Sequence, residues 1–549
     1  MKESRTTSKS KRLKKPLVLL LAVLLALTLP LTACESGAGD TGGADDDNAS
    51  SGKTVVISLA AAWDNLNVFD YGSDYAAYVK SQVFDKLVIL NDDGTLRPRL
   101  LESWELSENG TVLTAKLNPN AAWQDGESVT AEDIVFTYGL FTNPDVTTTA
   151  RTTLVAGTDE NGYLEAGKTL GVRAIDEKTV EFTTKQRTQD LLFFSDADKF
   201  YILPKHLLAD ADPATIIDNQ FFANPVGSGP FKFVSQTIGS EAVLEANPSY
   251  FLGSPDFDRL VIRVVSNDNA LSGLLSGEIS ATGGTGIGTL PYNDWKIAQS
   301  ESSLETKSLP HLGQQLIILN TTSPALTDAQ VRKALELAIN KQSIIDSLYG
   351  GEALALYGPI LPTNSYYNQD LKKNEYDPEQ AKQLLDAADF DYGYTLRVFV
   401  PAGVTEREKA AVLIQQDFAA VGIKAEINVV EFAALADVLY GDNTFDLCFM
   451  GYTPTAAPNA SGSWYAPSAQ SVSHFLDPTI FTEYTLAEQA ATDVEARQHY
   501  NKAQELIEEY VPYIYLYSPN NLIAHSANIT NIDYGTYFLT DTVYEWKVE

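Results

Sequence analysis

Cysteine and histidine are both scarce in this chain, with two cysteines and five histidines in 549 residues. Cys34 follows an N-terminal apolar segment, and Cys448 lies within the apolar run Phe445–Met450. One cysteine in the folded part excludes a disulfide framework there, and Cys448 is predicted to be a small buried hydrophobic residue. The histidines are scattered, without a pair at metal-ligand spacing, so we expect no metal site and no cofactor.

The chain also lacks the short motifs of common hydrolases. It contains neither a Gly-x-Ser-x-Gly nucleophile elbow nor a His-Glu-x-x-His zinc motif. The glycine-rich segment Pro225–Phe231 does not match the elbow and is interpreted as a structural turn. We therefore predict no catalytic residue. An exported hydrolase stays open as an alternative, because paired carboxylates of a glycosidase cannot be judged without distances.

Positive charge is in short supply, with 39 Lys and Arg against 72 Asp and Glu and a formal net charge of −33. Residues 1–33 hold seven basic residues and one acidic residue, so the rest of the chain stands at −39. A surface this acidic repels phosphate backbones and anionic lipid headgroups, so nucleic acid is excluded as an expected partner. We interpret the acidity as a solubility feature of an exported protein.

A long apolar run occurs at the N-terminus. The basic segment Lys9–Lys15 precedes the apolar segment Leu17–Leu29, which is shorter than the roughly 20 residues that a membrane span needs. This order predicts a cleaved signal peptide over residues 1–33. Leu31–Cys34 is similar to a bacterial lipobox, so Cys34 is predicted to carry lipid and to anchor an extracytoplasmic protein to the cell membrane. Residues 34–53, rich in Gly, Ala, Ser and Asp, are predicted to form a flexible tether.

Strand and helix signals alternate through the rest of the chain. Thr130 with Asp133 and Thr327 with Gln330 have the spacing of capping boxes, and Asp377 precedes a proline at a predicted first helical position. The helix that begins after Thr327 is expected to run to Gly350–Gly351. This alternation predicts an α/β fold, and the length predicts two to four domains.

Several segments occur in the order found in one family. They are Gly94–Trp104, Trp123–Asp133, Leu170–Asp176, Pro225–Phe231, Asn247–Phe251, Leu275–Ile279 and Val331–Lys341. From about Thr54 onward the chain thus resembles the extracytoplasmic solute-binding proteins of ABC transporters, family 5, the oligopeptide- and dipeptide-binding type. One departure is Ser280, where the family usually has an acidic residue. The turn and helix cap within Trp123–Asp133 are interpreted as structural.

The resemblance implies a two-lobed clamshell like that of periplasmic binding proteins (type II, large class C). Two crossing strands would join the lobes, and an extra subdomain would sit on the first. Lobe I would comprise residues 54–83, 170–285 and 521–549, the extra subdomain residues 84–169, and lobe II residues 286–520. The resemblance further implies a monomer that binds a small molecule or peptide between its lobes and delivers it to ABC transporter permease subunits.

The resemblance also implies which residues contact the ligand. In the family a first-lobe loop matching residues 70–74 and a second-lobe strand end matching residues 451–455 border the ligand. With the aromatic pair that follows, the predicted ligand-binding residues are Tyr71, Ser73, Asp74, Gly451, Tyr452, Thr453, Thr455, Trp464 and Tyr465.

One position departs from the peptide-binding members of the family. There, an Asp pairs with the ammonium group of the peptide, whereas this chain has Thr455. Asp442 and Asp446 are close in sequence, but their direction is not evident from sequence. A peptide is therefore the expected ligand, with an oligosaccharide, an opine-like compound or a metal chelate as alternatives. A receptor that presents its ligand to a sensor protein instead of a permease is also consistent with the resemblance.

Overall fold

In a computed structural model, the chain is described over residues 52–549, except 64, 71, 72, 92, 149, 285, 442–444, 454–456, 460, 461, 469, 470 and 536–538. The predicted signal peptide, Cys34 and nearly all of the tether lie outside the described residues. Tyr71, Thr455 and Asp442 also lie outside them. Residues 52–549 cluster as one unit.

Strands of the described residues form three main sheets and two small hairpins. In chain order they are β1 (Thr54–Leu59), β2 (Val88–Leu90), β3 (Leu96–Pro98), β4 (Leu101–Leu106), β5 (Val112–Leu117), β6 (Val172–Asp176), β7 (Thr179–Thr183), β8 (Phe231–Thr237), β9 (Glu241–Ala246), β10 (Arg259–Val264), β11 (Ala281–Thr282), β12 (Leu304–Leu309), β13 (Gln314–Leu319), β14 (Ala353–Ala355), β15 (Thr395–Pro401), β16 (Lys424–Val430), β17 (Leu447–Tyr452), β18 (Tyr513–Pro519), β19 (Asn521–Ser526), β20 (Ile529–Thr530) and β21 (Lys547–Val548).

Helices cover the sheets. They are α1 (Asp74–Val83), α2 (Ala131–Thr142), α3 (Asp190–Ala197), α4 (Lys205–Leu208), α5 (Asn267–Ser276), α6 (Tyr292–Ala298), α7 (Ala329–Ala338), α8 (Lys341–Tyr349), α9 (Pro378–Ala387), α10 (Thr405–Ala420), α11 (Leu435–Tyr440), α12 (Thr479–Gln489) and α13 (Asp493–Tyr510). Together with the strands they confirm the α/β class.

The first lobe is built on a seven-stranded sheet in the order β12-β19-β11-β1-β10-β9-β8. The second lobe is built on a six-stranded sheet in the order β14-β18-β13-β17-β15-β16. In the second sheet, β13 and β18 are central and apolar almost throughout, because buried side chains of two different core clusters cover its two faces.

Two connections carry the chain between the lobes and lie side by side. The first runs from β12 in the first sheet to β13 in the second, and the other returns from β18 to β19. β12 pairs antiparallel with β19, and β13 pairs antiparallel with β18. The Asn520 side-chain amide, in the return connection, donates to the Ser308 hydroxyl over 2.9 Å. This arrangement confirms the expected clamshell with a hinge of two crossing segments.

A four-stranded sheet in the order β4-β5-β7-β6 forms the extra subdomain. Its inward residues, including Leu113 and Phe182, belong to the same hydrophobic core as Ile57 and Ile262 of the first sheet. The subdomain is therefore part of the first lobe, as expected.

The predicted segment boundaries remain a prediction, but strand pairing crosses them at two places. β6 and β7 pair with the subdomain strand β5, although residues 170–285 were assigned to lobe I itself. β12 pairs with β19 in the first sheet, although residues 286–520 were assigned to lobe II. Sequence motifs indicate where strands lie but not which strands pair. The predicted boundaries therefore do not coincide with the edges of the sheets.

The predicted helix caps have mixed outcomes. Thr130 and Asp133 form the expected capping box at α2, and the Asp377 carboxylate accepts from the Gln380 amide at α9. The cap at Thr327 is wrong, because Asp328 accepts from the Gln330 amide and begins α7. The single helix expected to follow is also wrong. Residue 339 leaves the helical conformation, and a second helix, α8, ends at Gly350 with φ +60°.

The glycine-rich segment at residues 225–231 is a structural turn, as expected. Gly229 donates to the Val83 carbonyl over 2.9 Å, and a Cβ at Gly227 would collide with the same carbonyl. The Gln124 side-chain amide donates to the carbonyls of Gly229 and Phe231 over 3.1 and 2.8 Å. The Trp123–Asp133 signature therefore fastens the subdomain to the first lobe.

Candidate functional site

A cavity of about 410 Å³ lies beside the two crossing connections, and we refer to it as the hinge cavity. Gly286 and Asn521 line it from the first lobe, whereas Gln315 of β13 and Arg407 of α10 line it from the second. Its volume falls within the range of small-molecule sites. Closure of a two-lobed protein about such a hinge encloses whatever is bound there.

The strand end that was predicted to contact ligand reaches this cavity. β17 ends at Tyr452 and pairs with β13, so that Gly451 lies opposite Gln315. Gly451, Tyr452 and Thr453 all line the hinge cavity. The structure thus brings these predicted residues together on one wall.

Trp464 does not itself line the hinge cavity but places a second aromatic ring against Tyr452. The Tyr452 and Trp464 ring centroids are 4.2 Å apart at an interplanar angle of 48°, and both side chains are half-buried. On its other side Trp464 packs against Tyr513, whose hydroxyl donates to the Trp464 carbonyl over 3.1 Å. These contacts fix an aromatic surface next to the cavity.

Tyr465 lies behind the wall. Its side chain is fully buried in the second-lobe core, and its ring stacks on Tyr484 with centroids 5.8 Å apart. The hydroxyls of Tyr465 and Tyr515 form a hydrogen bond of 2.8 Å. In this conformation Tyr465 supports the site from within the core and is not exposed to the cleft.

The predicted first-lobe residues lie at the start of α1. The Ser73 hydroxyl caps the helix by accepting from the Ala76 amide over 3.3 Å. Asp74 follows and is solvent-exposed, although the nearby protein still reduces its hydration and raises the pKa of its carboxyl. Neither residue lines the hinge cavity, so the structure does not bring them together with Tyr452.

Sequence reasoning missed Arg407 and Gln315. Arg407 lies in the first turn of α10, and the direction of its side chain depends on how that helix packs. Gln315 offered a weak signal, because Gln314 and Gln315 are polar residues at the start of the otherwise apolar strand β13. Arg407 Nε donates to Gln315 Oε1 over 3.0 Å, and both side chains line the cavity.

Asp446, which was close in sequence to the missing acidic position, does not face the cavity. Its carboxylate is fully buried and accepts from the Arg397 guanidinium, the Ser323 hydroxyl and the Tyr394 hydroxyl. Burial by itself would raise the pKa of Asp446, but hydrogen bonds from Arg397 and Ser323 outweigh it and lower the pKa. Asp446 therefore forms a structural ion pair with Arg397.

A second cavity, of about 750 Å³, lies between the subdomain side of the first lobe and the second lobe; we call it the subdomain cavity. Its charged side chains are partnered by the protein. Lys185 Nζ donates to the Asp159 carbonyl over 2.8 Å, and Lys199 pairs with Asp196 over 2.6 Å. Asn459 donates to the Glu488 carboxylate over 3.1 Å.

Contacts between the lobes border the subdomain cavity. Arg187 Nε donates to the Ala490 carbonyl over 2.7 Å, and its terminal nitrogen donates to the Ala491 carbonyl. The Gln189 amide donates to the Ala487 carbonyl over 3.1 Å. These acceptors lie at the C-terminal end of α12, where unpaired carbonyls and the helix dipole favour a cation.

Cys448 and the acidic residues give no sign of chemistry. Cys448 is fully buried, which raises the pKa of its thiol to about 12 and confirms the prediction of a small buried residue. Within the residues that the structure describes, no group of three or more His, Cys, Asp and Glu side chains could hold a metal ion.

Two lobes, a hinge of two crossing connections and a cavity beside that hinge define a two-lobed ligand-binding protein. The family model described as "Bacterial extracellular solute-binding proteins, family 5 Middle" matches residues 95–473, and the chain belongs to this family. It is therefore an extracytoplasmic solute-binding protein and not an enzyme. Among the described residues, no helix is long and apolar enough to cross a membrane.

Individual relatives are distant but match over nearly their whole length. The oligopeptide-binding protein AppA of Bacillus subtilis (strain 168) is 25% identical over 95% of this chain and 96% of its own. The glutathione-binding protein GsiB of Pectobacterium atrosepticum is 23% identical over 90% and 93%. The crystal structure of the ABC transporter substrate-binding protein CtaP of Listeria monocytogenes covers 90% of this chain and 99% of its own, with 22% identity and a TM-score of 0.81.

Proposed function

We propose that this protein captures peptides between its lobes and delivers them to the permease of an ABC importer. The observation that supports this most directly is the hinge cavity, which combines hydrogen-bonding side chains with an aromatic wall. The names of the two relatives also support it, because an oligopeptide and glutathione, a tripeptide, share a peptide backbone.

The two cavities suit a chain-like ligand. The hinge cavity would hold one part of the peptide, with Gly451, Tyr452, Thr453 and Trp464 as its contacts. The larger subdomain cavity offers space for further residues. Tyr71, Ser73, Asp74, Thr455 and Tyr465 remain predicted ligand-binding residues, of which Tyr465 needs a movement of the core to reach the ligand.

The test starts from whatever the protein retains when it is purified. Residues 52–549 are expressed, purified and analysed by native mass spectrometry, followed by denaturing extraction and sequencing of the released compounds. We expect a set of peptides of related length. Recovery of an oligosaccharide, or a rise in melting temperature with sugars and with no peptide, would reject the peptide ligand while keeping the receptor class.

We further propose that Cys34 carries the lipid that holds the receptor at the membrane. Support comes from the basic, apolar and small-residue order that ends at Leu31–Cys34. Replacement Cys34→Ala in the full chain should release the protein from the membrane fraction of the producing cells. Release by an unrelated substitution in the tether, such as Ser50→Ala, would show that lipidation is not the anchor.

A further inference from the structure

Arg407 brings a positive charge to the hinge cavity. It lies in the first turn of α10, is half-buried, and lines the cavity from the second lobe. Its guanidinium lies over the backbone of Gly451, where a Cβ would collide with it. The glycine at the end of β17 thus leaves the space that this side chain occupies.

The charge of Arg407 has no ionic partner in the described part of the chain. Its one hydrogen-bond acceptor there is the neutral Gln315 Oε1. Glu406 and Glu408 are its neighbours on the same turn, and the Glu408 carboxylate accepts from the Gly403 amide over 3.2 Å. Burial lowers the pKa of Arg407, and the group still remains a cation at neutral pH.

Three other buried or partly buried guanidinium groups have partners that the protein supplies. Arg99 pairs with Asp85 over 2.5 Å, and Arg397 pairs with Asp446 over 3.0 Å. Arg332 has no carboxylate partner but donates to four backbone carbonyls, those of Leu326, Thr327, Tyr510 and Val511. A charged side chain that is partly removed from water ordinarily needs such partners. The remaining N–H donors of Arg407 therefore indicate a partner that arrives with the ligand.

Two buried amide oxygens, on other residues of the cavity lining, are also without a partner among the described residues. Gln314 donates through Nε2 to the Pro359 carbonyl over 2.7 Å, which leaves its Oε1 unpaired. Asn520 donates through Nδ2 to Ser308 and leaves its Oδ1 unpaired. Both residues line the hinge cavity. The lining of the cavity therefore combines a cation that has no ionic partner among the described residues with two buried, unpaired neutral acceptors.

We infer that Arg407 binds a carboxylate of the transported solute and that this contact selects ligands bearing a free acid at the hinge end. The inference rests on the proposed receptor function and adds the ligand chemistry. A guanidinium fork fits a carboxylate through two parallel hydrogen bonds. The neighbouring amide oxygens suit ligand N–H groups, as a peptide offers next to its terminal or side-chain acid.

The test compares synthetic pentapeptide libraries that differ in where they carry an acid. The first has a free C-terminal carboxylate and no Asp or Glu, the second is the same library as C-terminal amides, and the third is amidated with one Glu. Binding to residues 52–549, refolded to remove retained ligand, is measured by affinity selection and by the rise in melting temperature. The variants are Arg407→Gln, Arg407→Lys and the control Lys409→Gln, which removes an exposed charge from the same helix.

We expect the wild type to retain an acid-bearing library at least 10-fold better than the plain amides, and the ratio to fall to about 1 in Arg407→Gln. Arg407→Lys should keep an intermediate ratio, because it keeps the charge without the fork. Lys409→Gln should behave as the wild type. Preference for the first library assigns the acid to the peptide terminus, and preference for the third assigns it to a side chain.

A ratio that Arg407→Gln leaves unchanged would overturn the inference. If the wild type binds none of the three libraries, the peptide function fails. The same variants are then compared for their thermal shift with oligogalacturonates and with neutral oligosaccharides. Stabilisation by the acidic sugars that is lost in Arg407→Gln would support carboxylate recognition without peptides. Equal shifts in the variant and the wild type would reject it.

Discussion

The two cavities between the lobes differ in the contacts that the protein makes with their charged side chains. Around the subdomain cavity, Lys199 pairs with a carboxylate, Lys185 donates to a carbonyl of its own lobe, and Arg187 donates to two carbonyls of the other lobe. At the hinge cavity, Arg407 has one neutral acceptor among the described residues. The first pattern suits a surface on which the lobes meet, and the second suits a surface on which a ligand is recognised.

This difference separates affinity from selectivity. Contacts that join the lobes stabilise the closed form for any ligand, because they do not depend on what is enclosed. A charge without an ionic partner in the protein discriminates between ligands. Its removal from water costs free energy, and only a ligand with the opposite charge offsets that cost. Variants at the two cavities can show whether stabilisation of the closed form and discrimination between ligands are separable.

The largest effect is expected for a paired charge behind the hinge cavity. Asp446→Ala leaves the half-exposed Arg397 without its partner and removes hydrogen bonds to Ser323 and Tyr394. We expect the free energy of unfolding to fall by about 3 kcal/mol, measured by urea denaturation without ligand. Arg407→Gln should change the same quantity by less than about 0.5 kcal/mol, because it breaks no ion pair. An equal loss in both variants would contradict the comparison.

The same pair predicts a pH dependence. The pKa of Asp446 is lowered in the folded protein, so the carboxylate adds stability above the unfolded value of about 3.9. This contribution is lost as the pH falls through the lower, folded pKa. The stability difference between wild type and Asp446→Ala should therefore shrink below about pH 4. Asp437→Ala, at an exposed position of α11, is the control substitution in the same measurement.

A smaller effect is expected where the lobes meet. Arg187→Ala removes the donors to the Ala490 and Ala491 carbonyls, which makes the closed form less favourable. We expect affinity to fall about 10-fold by titration calorimetry, which corresponds to about 1.4 kcal/mol. The decrease should be the same for acid and amide peptides. Lys185→Ala is the matched control, because Lys185 lines the same cavity but bonds to Asp159 within its own lobe.

A still smaller effect is expected at the aromatic wall. Tyr452→Ala removes the ring that packs on Trp464 and should weaken binding about 3- to 10-fold, from roughly 0.5–1.5 kcal/mol of aromatic contact. Tyr452→Phe keeps the ring and should bind nearly as the wild type does. Tyr440→Ala, which removes an exposed tyrosine outside both cavities, controls for the loss of any large side chain. Equal binding by Tyr452→Ala and the wild type would remove this wall from the site.

Sequence predicted the fold better than it predicted the site. Local chemistry gave the capping box at Thr130, the cap at Asp377 and the turn at residues 225–231, because each depends on neighbours within a few residues. The partner of a strand does not depend on its neighbours. The predicted segments therefore separate β12 from its partner β19, and β6 and β7 from β5.

At the site, sequence found a backbone feature and missed its counterpart. Gly451–Thr453 could be predicted because the family resemblance marks that strand end. Arg407 could not, because it precedes Gly451 by more than 40 residues and reaches it only through the packing of α10 on the sheet. Tyr465 next to Trp464 shows the same limit, since one of these adjacent side chains is fully buried in the core and the other is half-buried against Tyr452.

The effect with the least bearing on ligand binding is expected for a buried acid that lines neither cavity. Burial, followed by repulsion from Glu336, raises the pKa of Glu508 to about 9, so this carboxyl is protonated at neutral pH. Glu508→Gln resembles the protonated acid and keeps an acceptor for the Asn374 amide. An acid with a raised pKa costs stability as the pH rises from the unfolded value toward the folded one. The variant should therefore gain stability relative to wild type between pH 5 and pH 8 in urea denaturation.

Parallel pH profiles of stability for Glu508→Gln and the wild type would contradict this account. Glu336→Gln is the control, and it should destabilise the protein throughout that range because it leaves Lys341 buried without its partner. The outcome bears on the hinge cavity. A carboxyl group withdrawn from water can be neutralised by binding a proton, and the raised pKa of Glu508 favours this. A guanidinium has no such route at neutral pH. Arg407 must therefore keep its charge until a counter-ion reaches it, and this is why its lack of an ionic partner indicates a ligand. A buried acid without a partner would not give the same indication, because it can bind a proton instead.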